Sequence, residues 1–259
     1  MAVERKEVLK TQGINKNFGG VVAVEDFSMV QYDKEITGII GPNGAGKTTV
    51  FNLITAATPC DSGLILFMDK EISNLPAHKR TEMGIARTFQ NIRLFKNLNV
   101  LDNMKVAYSH KVHYSILEEM LHLPRVGREE KQIDEKARHH LDYLGLSQYA
   151  EQKPDNLPYG LQRRLELART LMSEPKLLLL DEPAAGLNPR EVSSLIGMIN
   201  KLQQDNNLSI IIVEHHMELI MNICSLIHVL DFGKKIAEGK PDDIKTNERV
   251  LHAYLGDEG

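Results

Sequence analysis

An α/β fold organised around a buried parallel sheet is what this sequence of 259 residues predicts. Three observations carry the expectation. The runs KLLLLDEP and LSIIIVEH are continuous apolar stretches, as strands covered on both faces require. The glycine-rich stretch GPNGAGKTT follows the apolar run ITGII and precedes VFNLI, which suits a strand, loop and helix in succession. Between Gln90 and Arg164 the apolar spacing becomes helical, so a helical segment interrupts the α/β pattern.

The elements follow in chain order. VLKTQGI, VVAVEDFSMV and EITGII alternate in the half-buried manner and predict an N-terminal stretch of short strands leading into the loop. A helix is expected from Lys47 to Ala56, and GLILFMD reads as a further strand. LNVLDNMKVAYS, SILEEMLHL and REEKQIDEKARHHLDYLGL place their charges on outer helical faces. The strands KLLLLDEP and LSIIIVEH are separated by a helix expected near Arg190 to Gln204. HVLDFGKKIAEGKPDDI reads as a hairpin turning at Phe232-Gly233, with short helices after it. Residues 1–89 and 165–259 are thus expected to form the core, and residues 90–164 an inserted helical subdomain.

Composition narrows the function classes. The 31 basic and 35 acidic side chains leave a formal charge of -4, without the basic footprint of a nucleic-acid binder, so no nucleic-acid partner is expected. With 42% hydrophobic residues the chain can bury a large core without covalent staples. Its two cysteines, Cys60 and Cys224, lack metal-ligand spacing and fit a reducing compartment. The start MAVERKEVLK is charged, and no apolar run approaches the roughly 18 residues that cross a bilayer.

Gly41-Pro42-Asn43-Gly44-Ala45-Gly46-Lys47-Thr48-Thr49 matches G-x-x-x-x-G-K-[ST], a pattern whose glycines let the backbone curl around an anion with its N–H groups inward. Lys47 supplies a point charge, Thr48 a hydroxyl able to ligate magnesium, and the helix start a positive dipole end. A plain turn needs none of these. In LLLLDE a buried strand ends in two carboxylates. Ligands sit at the carboxyl ends of parallel strands, so Asp181 is expected beside the loop, holding magnesium through water. Glu182, one residue further, is placed to polarise a water aimed at a terminal phosphate.

The order NKNFGG, GPNGAGKTT, RTFQNIRLF, LPYGLQRRLELAR, LLLLDEPAAGLNP and IIIVEHHM resembles the ATP-binding subunits of ABC transporters across nearly the whole chain. RTFQNIRLFKNLNVLDN, the segment around SILEEMLHLPR, NLPYGLQRRLELAR and the ending HAYLGDEG are similar to branched-chain amino acid importers, in the longer of their two ATPase subunits. The resemblance implies a P-loop NTPase core of the ABC ATPase type, with an N-terminal antiparallel β-subdomain and an inserted α-helical subdomain, and with ATP and Mg2+ as ligands. It places Phe18 on adenine, Gln90 at magnesium and the attacking water, and His215 at the terminal phosphate beside Glu182. It also implies partners: membrane permeases, a second and non-identical ATPase subunit, and indirectly an extracytoplasmic solute-binding protein. The chain would then lie on the cytoplasmic side of the cell membrane, peripheral through its permeases.

Leu157-Pro158-Tyr159-Gly160-Leu161-Gln162 occupies the place of the family's LSGGQ signature, which closes the ATP site of a facing subunit. Tyr159 and Gly160 are therefore expected at a partner's nucleotide, offered from a helix start near Gly160. Pro158 stands where serine is usual and lacks both a hydroxyl and an N–H. Asn188 and His216 replace aspartates common in the family.

Other patterns lead nowhere. NKNF precedes the phosphate loop and lacks the aspartate of a guanine reader, DFG has no kinase catalytic loop beside it, and the adjacent pairs His139-His140 and His215-His216 do not suggest zinc. The alternative function is a soluble ABC-type ATPase acting on DNA, ribosomes or a regulatory partner. A more distant one is a small-molecule kinase built on the same loop.

Overall fold

The structure, a computed structural model, describes residues 5–90, 92–108, 111, 118, 120 and 123–255. It divides into two compact units, Met1–Gln90 with Lys176–Gly259, and Asn91–Pro175. The second boundary falls at Pro175 rather than at the expected 164, because helix Tyr159–Leu171 runs unbroken through that position. The expected helix SILEEMLHL and the last residues of HAYLGDEG fall largely outside the described residues.

In the first unit, β1 (Glu7–Phe18) and β2 (Val21–Tyr32) form an antiparallel hairpin. With β4 (Ser62–Phe67) and β5 (Lys70–Glu71) they complete a four-stranded sheet of order β2-β1-β4-β5. The second sheet adds β3 (Ile36–Ile40), β6 (Ile85–Arg87), β7 (Leu177–Asp181), β8 (Ser209–Val213), β9 (Leu226–Asp231) and β10 (Lys234–Gly239). Its order is β10-β9-β3-β8-β7-β6. The pairs β3/β8, β3/β9, β6/β7 and β7/β8 are parallel, and β9/β10 is the antiparallel hairpin expected at Phe232-Gly233. Every residue of β3, β7 and β8 is buried, which is why these strands read as unbroken apolar runs.

Helix α1 (Lys47–Ile54) joins the two sheets into one core: its Val50, Phe51, Leu53 and Ile54 pack with Leu9, Ile14, Ile65 and Phe67 of one and Ile39, Leu179 and Ile211 of the other. It stops short of the expected Ala56, whose φ of 57° is left-handed. Arg80 of α2 (Ala77–Met83), a helix the sequence reading omitted, donates to the carbonyls of Leu53 and Ile54 and so satisfies the end of α1. Beyond β7 come α6 (Pro189–Asn206) and α7 (Met217–Ile223), with α8 (Pro241–Lys245) and α9 (Glu248–Leu255) after β10. The Asn188 side chain and Glu191 close a reciprocal cap at the start of α6, fixing where the helix begins after the turn that follows β7.

The second unit holds α3 (Val100–Ala107), α4 (Pro124–Tyr143) and α5 (Tyr159–Leu171). Asn99 caps α3 by accepting from the Asp102 N–H. Val100, Leu101 and Met104 of α3, Ile133, Ala137 and Leu141 of α4, and Leu165, Ala168 and Leu171 of α5 are its buried apolar stripe. Lys111 and Lys136 both donate to Glu174, holding its carboxyl down to about 2.

Candidate functional site

Parallel strands put their carboxyl ends on one edge, and at that edge of the second sheet the chain gathers its chemistry. β3 opens into Gly41–Thr49, β7 ends at Asp181 with Glu182 next, and β8 is followed directly by Glu214-His215. Two loop glycines are dictated by close approach. A Cβ at Gly41 (φ 151°) would lie 2.1 Å from the Leu230 carbonyl oxygen, and one at Gly46 (φ 99°) 2.3 Å from that of Ala23. Ala45 is held between them, its carbonyl accepting from the Gly233 N–H at 3.0 Å. Gly46 caps α1 without a side-chain bond, so the first-turn amides of that helix keep their donors for an anion.

Lys47 curls over the loop and donates to the carbonyls of Gly41 at 2.7 Å and Pro42 at 2.8 Å. Burial pushes its ammonium below the ordinary lysine value, and the charges of Glu182, Asp181 and Glu214 push back. Thr48 is exposed on the first helical turn and Thr49 is half-buried behind it.

Gln90, Glu182 and His215 meet. Gln90 Nε2 donates to Glu182 Oε2 at 2.7 Å, and His215 Nδ1 lies 3.8 Å from the same oxygen. Glu182 has a φ of 45°, a left-handed conformation that costs a side-chain-bearing residue on the order of 1–3 kcal/mol and is held only by its surroundings. Its N–H donates to the Val213 carbonyl at 2.8 Å, which extends the β7/β8 ladder by one residue.

Asp181 lies at the end of β7 and carries an ion pair. It is buried, and its Oδ2 accepts from Arg87 at 2.6 Å. Arg87, which the sequence reading passed over, also donates to Asn52 Oδ1 at 2.7 Å and lies over the Phe51 and Phe89 rings. Its position two residues before the phenylalanine that adjoins Gln90 was the available signal. Glu214 was missed as well. It is fully buried, and its carboxylate accepts from the backbone N–H groups of Ala184 (2.7 Å), His215 (2.7 Å) and His216 (3.0 Å). With His215 and His216 it forms a tight group of metal-type donors, yet those amides already engage both of its oxygens.

Phe18 ends β1 half exposed, with the Lys16 ammonium 5.4 Å from its ring centre. In the second unit, Tyr159 and Gly160 are the first two residues of α5, so their N–H groups have no intrahelical acceptor. Pro158 is the cap residue, with φ -51°, and its carbonyl accepts from Leu161 and Gln162. The Tyr159 ring is exposed beside the Arg163 guanidinium, which pairs with buried Glu166 at 3.2 Å.

Comparison with known proteins matches residues 24–185 to a family model described as ABC transporter, and residues 234–259 to one described as branched-chain amino acid ATP-binding cassette transporter. The chain is 40% identical to the high-affinity branched-chain amino acid transport ATP-binding protein BraF of Pseudomonas aeruginosa, over 97% of this chain and 99% of that one. It is 40% identical to the like-named LivG of Escherichia coli K12, over 96% and 98%. Two solved structures, a nucleotide-free ATP-binding cassette from an ABC transporter and another in its ADP conformation, superpose with a TM-score of 0.84 at 30% identity. Each covers 97% of this chain, which in turn covers 100% of the first and 99% of the second.

Proposed function

The chain belongs to the ABC transporter family of ATP-binding cassettes, and from that premise we propose that it is the ATP-hydrolysing subunit of an importer for branched-chain amino acids. The observation that carries the catalytic reading is the Glu182 carboxylate, hydrogen-bonded to Gln90 and 3.8 Å from His215 on the edge that bears the phosphate loop. Lys47 and the amides of Gly44 to Thr49 hold the phosphates, and Phe18 packs on adenine. Gln90 and His215 orient a water and the terminal phosphate. Glu182 takes the water's proton on the oxygen opposite the one Gln90 engages.

The residues fit magnesium: the Thr48 hydroxyl, the Asp181 carboxylate and the Gln90 amide oxygen are all hard oxygen donors. When bound, magnesium neutralises charge developing on the phosphate oxygens. Thr48, Asp181 and Gln90 would hold it, and Asp181 would share its carboxylate between that ion and Arg87.

The helical unit presents Tyr159 and Gly160, at the start of α5, to the nucleotide of a second, non-identical cassette. Permease subunits hold the pair at the cytoplasmic face of the membrane, and an extracytoplasmic binding protein delivers the amino acid. Among the described residues no helix is long and apolar enough to cross a membrane. In the assembled transporter, Glu182→Gln should keep ATP binding and cut hydrolysis about 100-fold or more. Near-normal turnover in that variant, or purification from detergent extracts without any permease, would refute the assignment.

A further inference from the structure

Between Glu182 and His215 lies a group to which the reading above gives no task. Pro183 has no N–H, so the backbone leaving β7 offers donors only at Glu182 and, two residues on, at Ala184. Both are engaged by the end of β8. The Glu182 N–H meets the Val213 carbonyl at 2.8 Å and the Ala184 N–H meets Glu214 Oε1 at 2.7 Å. The left-handed residue Glu182 is thus bracketed on both sides. The other oxygen of the same carboxylate accepts from His215 at 2.7 Å and from His216 at 3.0 Å, fixing the backbone that carries the second side chain of the site.

A carboxylate with no exposed surface is costly unless donors surround it, and three amides do so here. A packing role alone would be served better by an apolar side chain, since burying an ion rarely adds stability over a hydrophobic replacement. We propose that Glu214 is a positioning residue for ATP hydrolysis: its buried carboxylate ties the turn bearing Glu182 to the turn bearing His215 and sets the spacing of those two side chains. It touches neither nucleotide nor water itself. This rests on the catalytic reading of Glu182 and His215 given above.

The test compares Glu214→Gln and Glu214→Ala with the wild-type full chain, using ATP and magnesium as ligands. Glutamine keeps the size but has one acceptor oxygen. That oxygen serves His215 and His216, and its amide group faces the Ala184 N–H, where no bond can form. Amide exchange measured by NMR should speed up about 10- to 100-fold at Ala184 in the glutamine variant, and at all three amides in the alanine variant. The hydrolytic kcat in the assembled transporter should fall by a similar factor, with KM for ATP there and the unfolding midpoint of the glutamine variant close to wild type. Unchanged exchange at Ala184, or unchanged kcat despite faster exchange, overturns the proposal. So does a loss shared equally by kcat, KM and the unfolding midpoint, which is the mark of a structural role. Absence of hydrolysis by the wild-type chain in the assembled transporter would instead refute the catalytic reading, and the exchange measurement would still judge the tie.

Discussion

Replacing Arg87 by methionine keeps an unbranched apolar stem and removes the guanidinium that faces Asp181. The two side chains are 8% and 4% exposed and their atoms are 2.6 Å apart, so each charge relies on the other in place of water. Removing one member of such a pair costs about 3–5 kcal/mol, because the remaining carboxylate stays buried without compensation. The bond to Asn52 Oδ1 at 2.7 Å adds about 1 kcal/mol. The guanidinium also lies over the Phe51 and Phe89 rings, contacts that methionine gives up while leaving a polarisable apolar stem beside them. The expected destabilisation is therefore at least about 4 kcal/mol, close to half the stability of an ordinary domain. Urea unfolding of the full chain, followed by far-ultraviolet circular dichroism, reads it directly. A cycle with Asp181→Asn then isolates the pair. The double variant should recover at least about 2 kcal/mol relative to the sum of the singles, since no bare charge is left behind. A loss below about 1 kcal/mol for Arg87→Met, or additive single effects, would show that the buried pair is hydrated or dispensable and refute the reasoning.

Lys47→Ala should raise the ATP dissociation constant by about 10- to 100-fold, because it removes a cation from among the phosphates; equal affinity in a calorimetric titration would refute the loop's role. Pro158→Ser, placed in the Glu182→Gln background, should strengthen ATP-dependent association by at most about 1–3 kcal/mol by sedimentation, and no response would mean that the amides of Tyr159 and Gly160 suffice. Burial, aided by the neighbouring His139 and Lys136, pushes His140 from 6.5 down to about 4. The folded chain then refuses a proton that the unfolded chain accepts, so its contribution to stability is complete above pH 6.5 and is lost progressively as the pH falls toward 4. His140→Gln should flatten that part of the acid unfolding profile, and an unchanged profile would contradict the sign.

Much of the core was legible because its signals are local. The loop GPNGAGKTT, the buried strand LLLLD and the hairpin at Phe232-Gly233 each write their conformation within a few residues. Arg87 and Glu214 were illegible for the opposite reason. β6 spans only Ile85–Arg87, too short to show any period, and the partner of Arg87 lies 94 positions away in β7. Glu214 reads in sequence as one more solvated acid beside two histidines, and only the register of β7 against β8 shows that its carboxylate turns inward to Ala184. The limit of the helical unit was misplaced because LPYGLQRRLELAR was divided at its motif, whereas its helix has no breaker until after Leu171.

The placement of β3 has a consequence for how the protein is made. Its sheet neighbours are β8 and β9, which leave the ribosome about 170 and about 190 residues after it, and the Leu230 and Gly233 contacts to the loop come with the end of β9 and the turn after it. The phosphate loop therefore emerges early but cannot take its final shape until the last fifth of the chain is synthesised. Until then β3 presents two unpaired edges of largely apolar sequence, the kind of surface that pairs with the wrong strand or with another chain. A polypeptide that stops before Leu226 would carry every residue of the loop and still lack the wall behind Gly41.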